Sequence, residues 1–272
     1  VQGIADYEFV RPLGSGNHGQ FFLARRPARL PVDVEYVAVK VLVGESTGDI
    51  FRRATREMQA FAAVRSPYLV TLYDAGQQDG VFYYAMEYLP DGSLAVPAQP
   101  VSVPRALRAV ADAARATSAL HGQRIAHRDI KPGNILLAGD GGKLADLGLA
   151  HVFTPGATLT GMGPVTAVEY MDPGLLQGDP PGPANDLWSL GVTLHQVAAG
   201  TGVYGDLPTG DGLLALRRVL STGPQVSPTL DPILAELVRD CIGAAESRPT
   251  AAAFADRLAQ AISGAQSQGA PA

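Results

Sequence analysis

The sequence predicts an α+β chain in two lobes: a small antiparallel β-sheet lobe with one main helix over about residues 1–88, and a larger, mostly helical lobe over about 89–262. Three observations predict it. Short runs rich in β-branched and aromatic residues, punctuated by glycine, fill the first part. From about residue 104 onward, apolar residues recur at helical spacing instead. Within that second part, the polar string His127-Arg128-Asp129-Ile130-Lys131-Pro132-Gly133-Asn134, followed at short range by Asp146-Leu147-Gly148, is set between apolar strand-like runs.

The first strand-like run, 7–13, leads into Gly14-Ser15-Gly16-Asn17-His18-Gly19 and a second run, 21–24. Glycines between two strands permit a tight hairpin whose backbone can approach a triphosphate with no side chain in the way. A dinucleotide-binding loop would open an amphipathic helix, whereas a strand pattern follows here. A P-loop would need Lys and Ser/Thr where Gln20 and Phe21 stand. The connection 22–40, with Pro27, Pro31 and Asp33, reads as an extended hairpin without chemistry. Residues 36–42 form a strand pattern with the ammonium of Lys40 at its middle. A paired, buried lysine and a solvent-facing one at a strand edge are both readings of that position. Residues 51–61 read as a helix with Glu57 inward, in line with Phe61, although Arg52, Arg53 and Arg56 also offer Glu57 an ordinary surface pairing. Runs at 70–73 and 81–88 complete the sheet, and Leu89-Pro90-Asp91-Gly92 ends it.

In the second part, 104–121 reads as one long helix whose alanines allow close packing beside Leu107, Val110 and Leu120. The brief segment 93–103 ahead of it holds prolines that leave little room for a helix. Residues 185–194 begin an apolar helix with Asp186 near its start, a position that also suits a helix cap. The segments 213–220, 230–244 and 251–262 carry helical spacing, and the Gly-, Ser-, Gln- and Pro-rich 263–272 reads as a flexible linker.

Composition narrows the function classes. Apolar residues make up 46% of the 272, which excludes a wholly disordered chain. A formal charge of -5 gives no reason to expect nucleic acid, which calls for a basic surface. The single cysteine, Cys241, rules out an internal disulfide and sits in a helical apolar pattern as a small hydrophobe. Neither a signal peptide nor an apolar run long enough to span a bilayer is visible, so no membrane contact is expected of this segment.

The polar string fits phosphoryl transfer. A hydroxyl attacking the last phosphate of ATP must be oriented by a carboxylate, and the phosphate charge must be neutralised. Asp129 can orient the hydroxyl, Lys131 can reach the moving group, and Asn134 with Asp146 can offer oxygen ligands to a hard cation. Here the chain resembles the eukaryotic-like Ser/Thr protein kinases of bacteria, whose catalytic loop reads H-R-D-x-K-P-x-N and whose metal loop reads D-[FL]-G. The resemblance covers nearly everything from Tyr7 to Ile262 and implies the bilobal protein kinase fold.

The same resemblance implies cofactors, site residues and partners. ATP and Mg2+ are the cofactors it implies, with Mn2+ as an admissible substitute. It makes Lys40 the holder of the first phosphates and Glu57 its partner. By family position, Leu13, Gly14, Gly16, Gly19, Phe21, Ala38, Met86, Glu87, Leu89 and Leu136 surround the nucleotide, with Met86 as gatekeeper and the backbone of Glu87 and Leu89 reading adenine. Phe21, Ala38 and Leu136 serve the core equally well. Asp186 would anchor the catalytic-loop backbone, and Arg248 would be a structural arginine. Arg128 beside Asp129 invites a phosphate, with Thr154, Thr158 and Thr160 as candidate modification sites and Thr158 and Thr160 favoured. Protein substrates are the expected partners, and a homodimer would allow trans-autophosphorylation. The segment is expected to be cytoplasmic, on its own or as the cytoplasmic domain of a single-pass membrane protein.

Two departures stand out. In the family pattern G-T-x-x-Y-x-A-P-E, the hydroxyl is missing at Ala167 and the glutamate is replaced by Gly174. Arg248 should then lack its usual carboxylate, with Asp172 as a neighbouring substitute. The competing functions are a pseudokinase that binds nucleotide or acts as a scaffold, supported by those departures, and a small-molecule phosphotransferase.

Overall fold

The computed structural model describes residues 3–16, 19–42, 48–147, 165–208 and 211–268. Thr154, Thr158 and Thr160 lie outside them.

Among the described residues, one compact unit comprises the chain up to residue 63 together with 70–89. Its sheet holds β1 (Gly3–Ile4), β2 (Tyr7–Gly16), β3 (Gly19–Arg25), β4 (Tyr36–Leu42), β5 (Leu72–Gln78) and β6 (Val81–Met86), in the order β1-β2-β3-β4-β6-β5 with antiparallel neighbours. Alternation gives the sheet two faces. One buries Tyr7, Ala24, Val37, Val39, Tyr83 and Ala85 in a cluster with Leu30. The opposite face carries Phe21, Ala38, Lys40, Tyr84 and Met86, aligned by the pairs Phe21↔Lys40, Lys40↔Tyr84 and Ala38↔Met86. The helix α1 (Gly48–Ala62) buries Ala54, Met58 and Phe61 at helical spacing. Its Phe51 packs edge-on against Phe82, with ring centroids 5.7 Å apart.

The long connection after β3 is a series of turns around buried Leu30, where a hairpin extension was expected. Arg26 donates to the carbonyls of Val34 and Leu30 at 2.8 and 3.0 Å, satisfying backbone groups that a ladder would otherwise pair. Arg29 closes the turn from outside through Asp6 and Asp74, each at 2.7 Å.

The second unit takes in 64–69 as well as the described residues from 90 onward. The short stretch 64–69 belongs there because its backbone pairs there: the Leu144 amide donates to the Tyr68 carbonyl at 2.8 Å, and Leu69 bridges to Leu144. Its helices are α2 (Val103–Gly122), α3 (Pro173–Leu176), α4 (Pro183–Ala199), α5 (Gly212–Ser221), α6 (Pro232–Cys241) and α7 (Ala251–Gln268), with the hairpin β7 (Ile135–Ala138) and β8 (Gly141–Leu144). Ser102 caps α2, and its buried Ala106, Ala109, Ala113 and Ala116 admit neighbours closely. A Cβ at Gly142 of β8 would come within 2.9 Å of the Ala109 Cβ, so the hairpin lies directly on α2. Residues 186–195 of α4 are all buried, the polar Asp186, Ser189, Thr193 and His195 among the apolar ones, as befits a helix enclosed on every side. Cys241 is fully buried against α4, and burial pushes its thiol well up, as a small hydrophobe requires.

At the C-terminal end the flexible-linker expectation for 263–272 is corrected over 263–268, where α7 continues to Gln268. Alanine and glutamine favour helix, and the Ser263 hydroxyl donates back to the Ala259 carbonyl at 3.0 Å. Among the described residues, no helix is long and apolar enough to cross a membrane.

Candidate active site

In the first unit, β2 and β3 meet as a hairpin with Gly16 opposite Gly19. The glycines have different physical reasons to be there. Gly14 has φ 144, a conformation that a side chain disfavours. A Cβ at Gly19 would lie 2.5 Å from the Val41 carbonyl oxygen, so Gly19 is needed for the approach of β4. Leu13 is half-buried at the start of this stretch.

Lys40 is only 5% exposed, which excludes the solvent-facing alternative. Its ammonium lies 4.9 Å from the Phe21 ring centroid and 5.9 Å from that of Tyr84. Glu57 is half-buried beside the inward residues Ala54, Met58 and Phe61, and α1 packs on the sheet face that bears Lys40. Met86 and Ala38 are buried on that same face. Beyond them, the Glu87 amide donates to the Thr71 carbonyl at 2.9 Å, and Glu87 and Leu89 are half-buried.

In the second unit, the polar string runs from the end of α2 into β7 as a set of interlocked hydrogen bonds. The Lys131 ammonium sits 2.8 and 2.9 Å from the Asp129 carboxylate oxygens. The Asn134 amide donates to the Asp129 carbonyl at 2.6 Å and to its carboxylate at 2.9 Å. Asp129 is thereby fixed in rotamer and held beside a positive charge. The β7–β8 ladder then brings Asp146 near Asn134: the Ala145 amide donates to the Asn134 carbonyl at 2.8 Å, and Asp146 follows directly.

Asn134 presents its NH2 to Asp129, so its amide oxygen is the atom suited to a cation, with the Asp146 carboxylate as the second oxygen donor. Among the described residues, no group of three or more His, Cys, Asp or Glu could hold a metal. One amide and one carboxylate suit a hard cation that keeps water and phosphate oxygens, rather than a metal enclosed by protein ligands.

Asp186 is 1% exposed and accepts the His127 and Arg128 backbone amides, each at 2.8 Å. The helix-cap reading of Asp186 therefore fails. At that end of α4 it is Asn185 that takes the Gly182 amide, at 2.6 Å. His121, near the end of α2, also reaches Asp186 through Nε2 at 2.8 Å. The clasp has a physical purpose, because Arg128 has φ 70, a left-handed conformation that costs energy in a non-glycine residue.

His127 holds backbone segments of this site together, a part that its residue type alone did not assign. It is fully buried, and burial pushes its imidazole below the ordinary value against the pull of Asp186, Asp129 and Asp146. A carbonyl only accepts, so Nε2 carries the proton given to the Ala145 carbonyl at 3.1 Å, and Nδ1 accepts from the Asp129 amide at 3.4 Å. One neutral ring thus ties the backbone at Asp129 to the backbone next to Asp146. The available signal was a histidine placed between the apolar Ile125-Ala126 and the charged Arg128-Asp129.

The segment before α2 also differs from a helix. Leu94 donates to the Ile135 carbonyl at 2.9 Å, Leu137 donates to the Gly92 carbonyl at 2.8 Å, and Ser93 bridges to Leu136. This stretch lies strand-like along β7 and leaves Val96 exposed.

Arg248 does have a carboxylate. Its Nη1 donates to Asp172, both side chains are 5% exposed, and Asn185 donates to the same carboxylate at 2.8 Å. Burial pushes the Asp172 carboxyl up, but Arg248, the Gly174 amide and Asn185 outweigh it and hold it below the usual range. Arg248 also donates to the Gly243 and Ala184 carbonyls and lies 5.4 Å from the Trp188 ring centroid.

Residues 7–256 match the family described as protein kinase domain. Curated relatives include a probable serine/threonine-protein kinase, PkwA, of Thermomonospora curvata, 32% identical over 88% of this chain and 32% of its own length. Serine/threonine-protein kinase PknJ of Mycobacterium tuberculosis is 32% identical over 85% of this chain and 41% of its own. PknB of the same species is 33% identical over 74% of this chain and 34% of its own. The chain spans roughly a third to two-fifths of the length of these bacterial relatives.

Proposed function

The chain belongs to the protein kinase domain family, and from that premise we propose that it transfers the γ-phosphoryl group of ATP to Ser or Thr hydroxyls of proteins, itself included. The observation that carries this reading is the Asp129 carboxylate held against Lys131 and Asn134 at 2.8–2.9 Å, with Asp146 brought alongside by the β7–β8 ladder. Asp129 accepts a hydrogen bond from the attacking hydroxyl and takes its proton late, as the new oxygen–phosphorus bond forms and the bond to the departing ADP oxygen breaks. Lys131 offsets the charge on the moving group. Asn134 and Asp146 would hold Mg2+, which when bound neutralises phosphate charge. Lys40 holds the first phosphates, Glu57 supports it, and Gly14, Gly16 and Gly19 keep the hairpin backbone open to them. In the first unit, Leu13, Phe21, Ala38 and Met86 give the base apolar surroundings, and the Glu87–Leu89 backbone reads its edge.

Thr158 and Thr160 are the favoured sites of autophosphorylation, with Thr154 as a third, and Arg128 is the partner for the phosphate. The proposal extends to trans-phosphorylation within a homodimer and to a cytoplasmic setting, alone or anchored as part of a longer chain. The test starts from dephosphorylated protein incubated with ATP and Mg2+ beside an Asp129→Asn control, with phosphate mapped by mass spectrometry. Phosphate gained on threonine in the unsubstituted protein alone is the expected result. Nucleotide binding with no phosphate gained, on the chain or on a generic peptide, would overturn it in favour of a pseudokinase.

A further inference from the structure

We infer that Phe21 and Tyr84 hold the Lys40 ammonium against their ring faces, which makes Phe21 a positioning residue for the phosphates of the bound nucleotide. The inference rests on the nucleotide-binding reading above. Lys40 on β4 stands directly opposite Phe21 on β3 and Tyr84 on β6, so all of them project from one face of the sheet. The ammonium lies 4.9 Å from the first ring centroid and 5.9 Å from the second, within the roughly 6 Å reach of a cation–π attraction. Lys40 is also 5% exposed, and desolvation strengthens that attraction. An aliphatic side chain at position 21 would cover the lysine stem equally well but would offer its charge nothing.

The consequence concerns preorganisation. A lysine stem samples many rotamers, and ordering it on phosphate binding weakens affinity. Rings on both neighbouring strands restrict the ammonium before phosphate arrives. Tyr84 is buried and part of the core, whereas Phe21 is half-buried, so position 21 can be varied without opening the sheet.

The experiment measures dissociation constants of adenosine and of ADP on the intact chain, on Phe21→Leu and on Phe21→Tyr, by calorimetry. The adenosine-to-ADP ratio isolates the part of affinity that depends on phosphate. Phe21→Leu is expected to lower that ratio about three- to tenfold, while Phe21→Tyr, which keeps a ring, preserves it. Equal weakening of both ligands would reduce Phe21 to an apolar cover, and a raised ratio would mean the ring competes with phosphate; either overturns the inference. An unsubstituted chain that binds neither ligand overturns the functional reading itself. A further readout needs neither variant nor nucleotide: ring currents should move the Lys40 ε-methylene protons upfield in the free protein, and ordinary lysine shifts there would also refute the arrangement.

Discussion

Replacing Asp172 with alanine removes the carboxylate from a guanidinium that is 5% exposed. Arg248 keeps its hydrogen bonds to the Gly243 and Ala184 carbonyls at 3.0 and 2.8 Å, but its charge is left buried without the counterion. Stranding one member of such a pair costs about 3–5 kcal/mol. The same substitution takes the cap from the Gly174 amide, which costs about 1 kcal/mol more. In a domain of this size each kcal/mol moves the melting temperature by about 2–4 °C, so a fall on the order of 10–20 °C is expected. The assay is built in, because the single tryptophan of the sequence, Trp188, lies 5.4 Å from the Arg248 guanidinium and its emission follows this place. Urea unfolding of Asp172→Ala, Arg248→Met and the double variant should show the double regaining much of the loss, since no buried charge then remains. Losses that simply add, or an Asp172→Ala loss below about 1 kcal/mol, would refute the reasoning.

Asp186→Ala frees the His127 and Arg128 amides and should reduce phosphoryl transfer at least about a hundredfold, since each hydrogen bond to a charged group contributes about 1.5–3 kcal/mol; turnover within tenfold of the unsubstituted chain would contradict this. Burial holds His127 and His195 below their ordinary value of about 6.5. The unfolded chain therefore takes up protons near pH 6.5 that the folded chain refuses, so their contribution is intact above that pH and is lost as pH falls towards the folded values, by up to about 1.4 kcal/mol per unit for each. Melting temperatures at pH 7.5 and 5.5 check it, and equal values would count against it. Gly19→Ala should push β3 from β4 and weaken ADP binding, as read by calorimetry, because its methyl group would meet the Val41 carbonyl.

The parts legible in the sequence were those where local pattern and final environment agree. The strand at Tyr36–Leu42 has the bounds that its β-branched run announces. Strand β5 does not: the apolar run 70–73 suggested a strand there, whereas the ladder occupies Leu72–Gln78, starting with a shift between Leu72 and Asp74. Its later residues, Asp74-Ala75-Gly76-Gln77-Gln78, include no β-branched or aromatic side chain, and only the pairing with β6 makes them a strand. The assignment of 64–69 to the second unit was also invisible, because it is decided by hydrogen bonds to Leu144, far along the chain. The exchange of partner at Arg248 was legible as a question, since Gly174 lacks a carboxylate and Asp172 is near. Its answer required the position of Asn185, which holds the same oxygen.

A similar division runs through the candidate site. Reactive residues such as Asp129 and Lys131 declare themselves by type and spacing, but their placement depends on strained backbone that they do not themselves support. Arg128 and Asp146 both adopt left-handed conformations, with φ 70 and 61. Each such residue costs about 1–3 kcal/mol and persists only where its surroundings over-determine it. For Arg128 the surroundings are the Asp186 carboxylate, itself held by His121. For Asp146 they include the preceding Ala145, whose carbonyl accepts from His127 and whose amide donates to Asn134. His127 and Asp186 are thus joined to each other and to the bent segments on either side of them, so removing either should loosen both the acceptor carboxylate and the cation ligands. Asp186→Ala and His127→Ala should accordingly fail together when combined, costing little more than the worse single change.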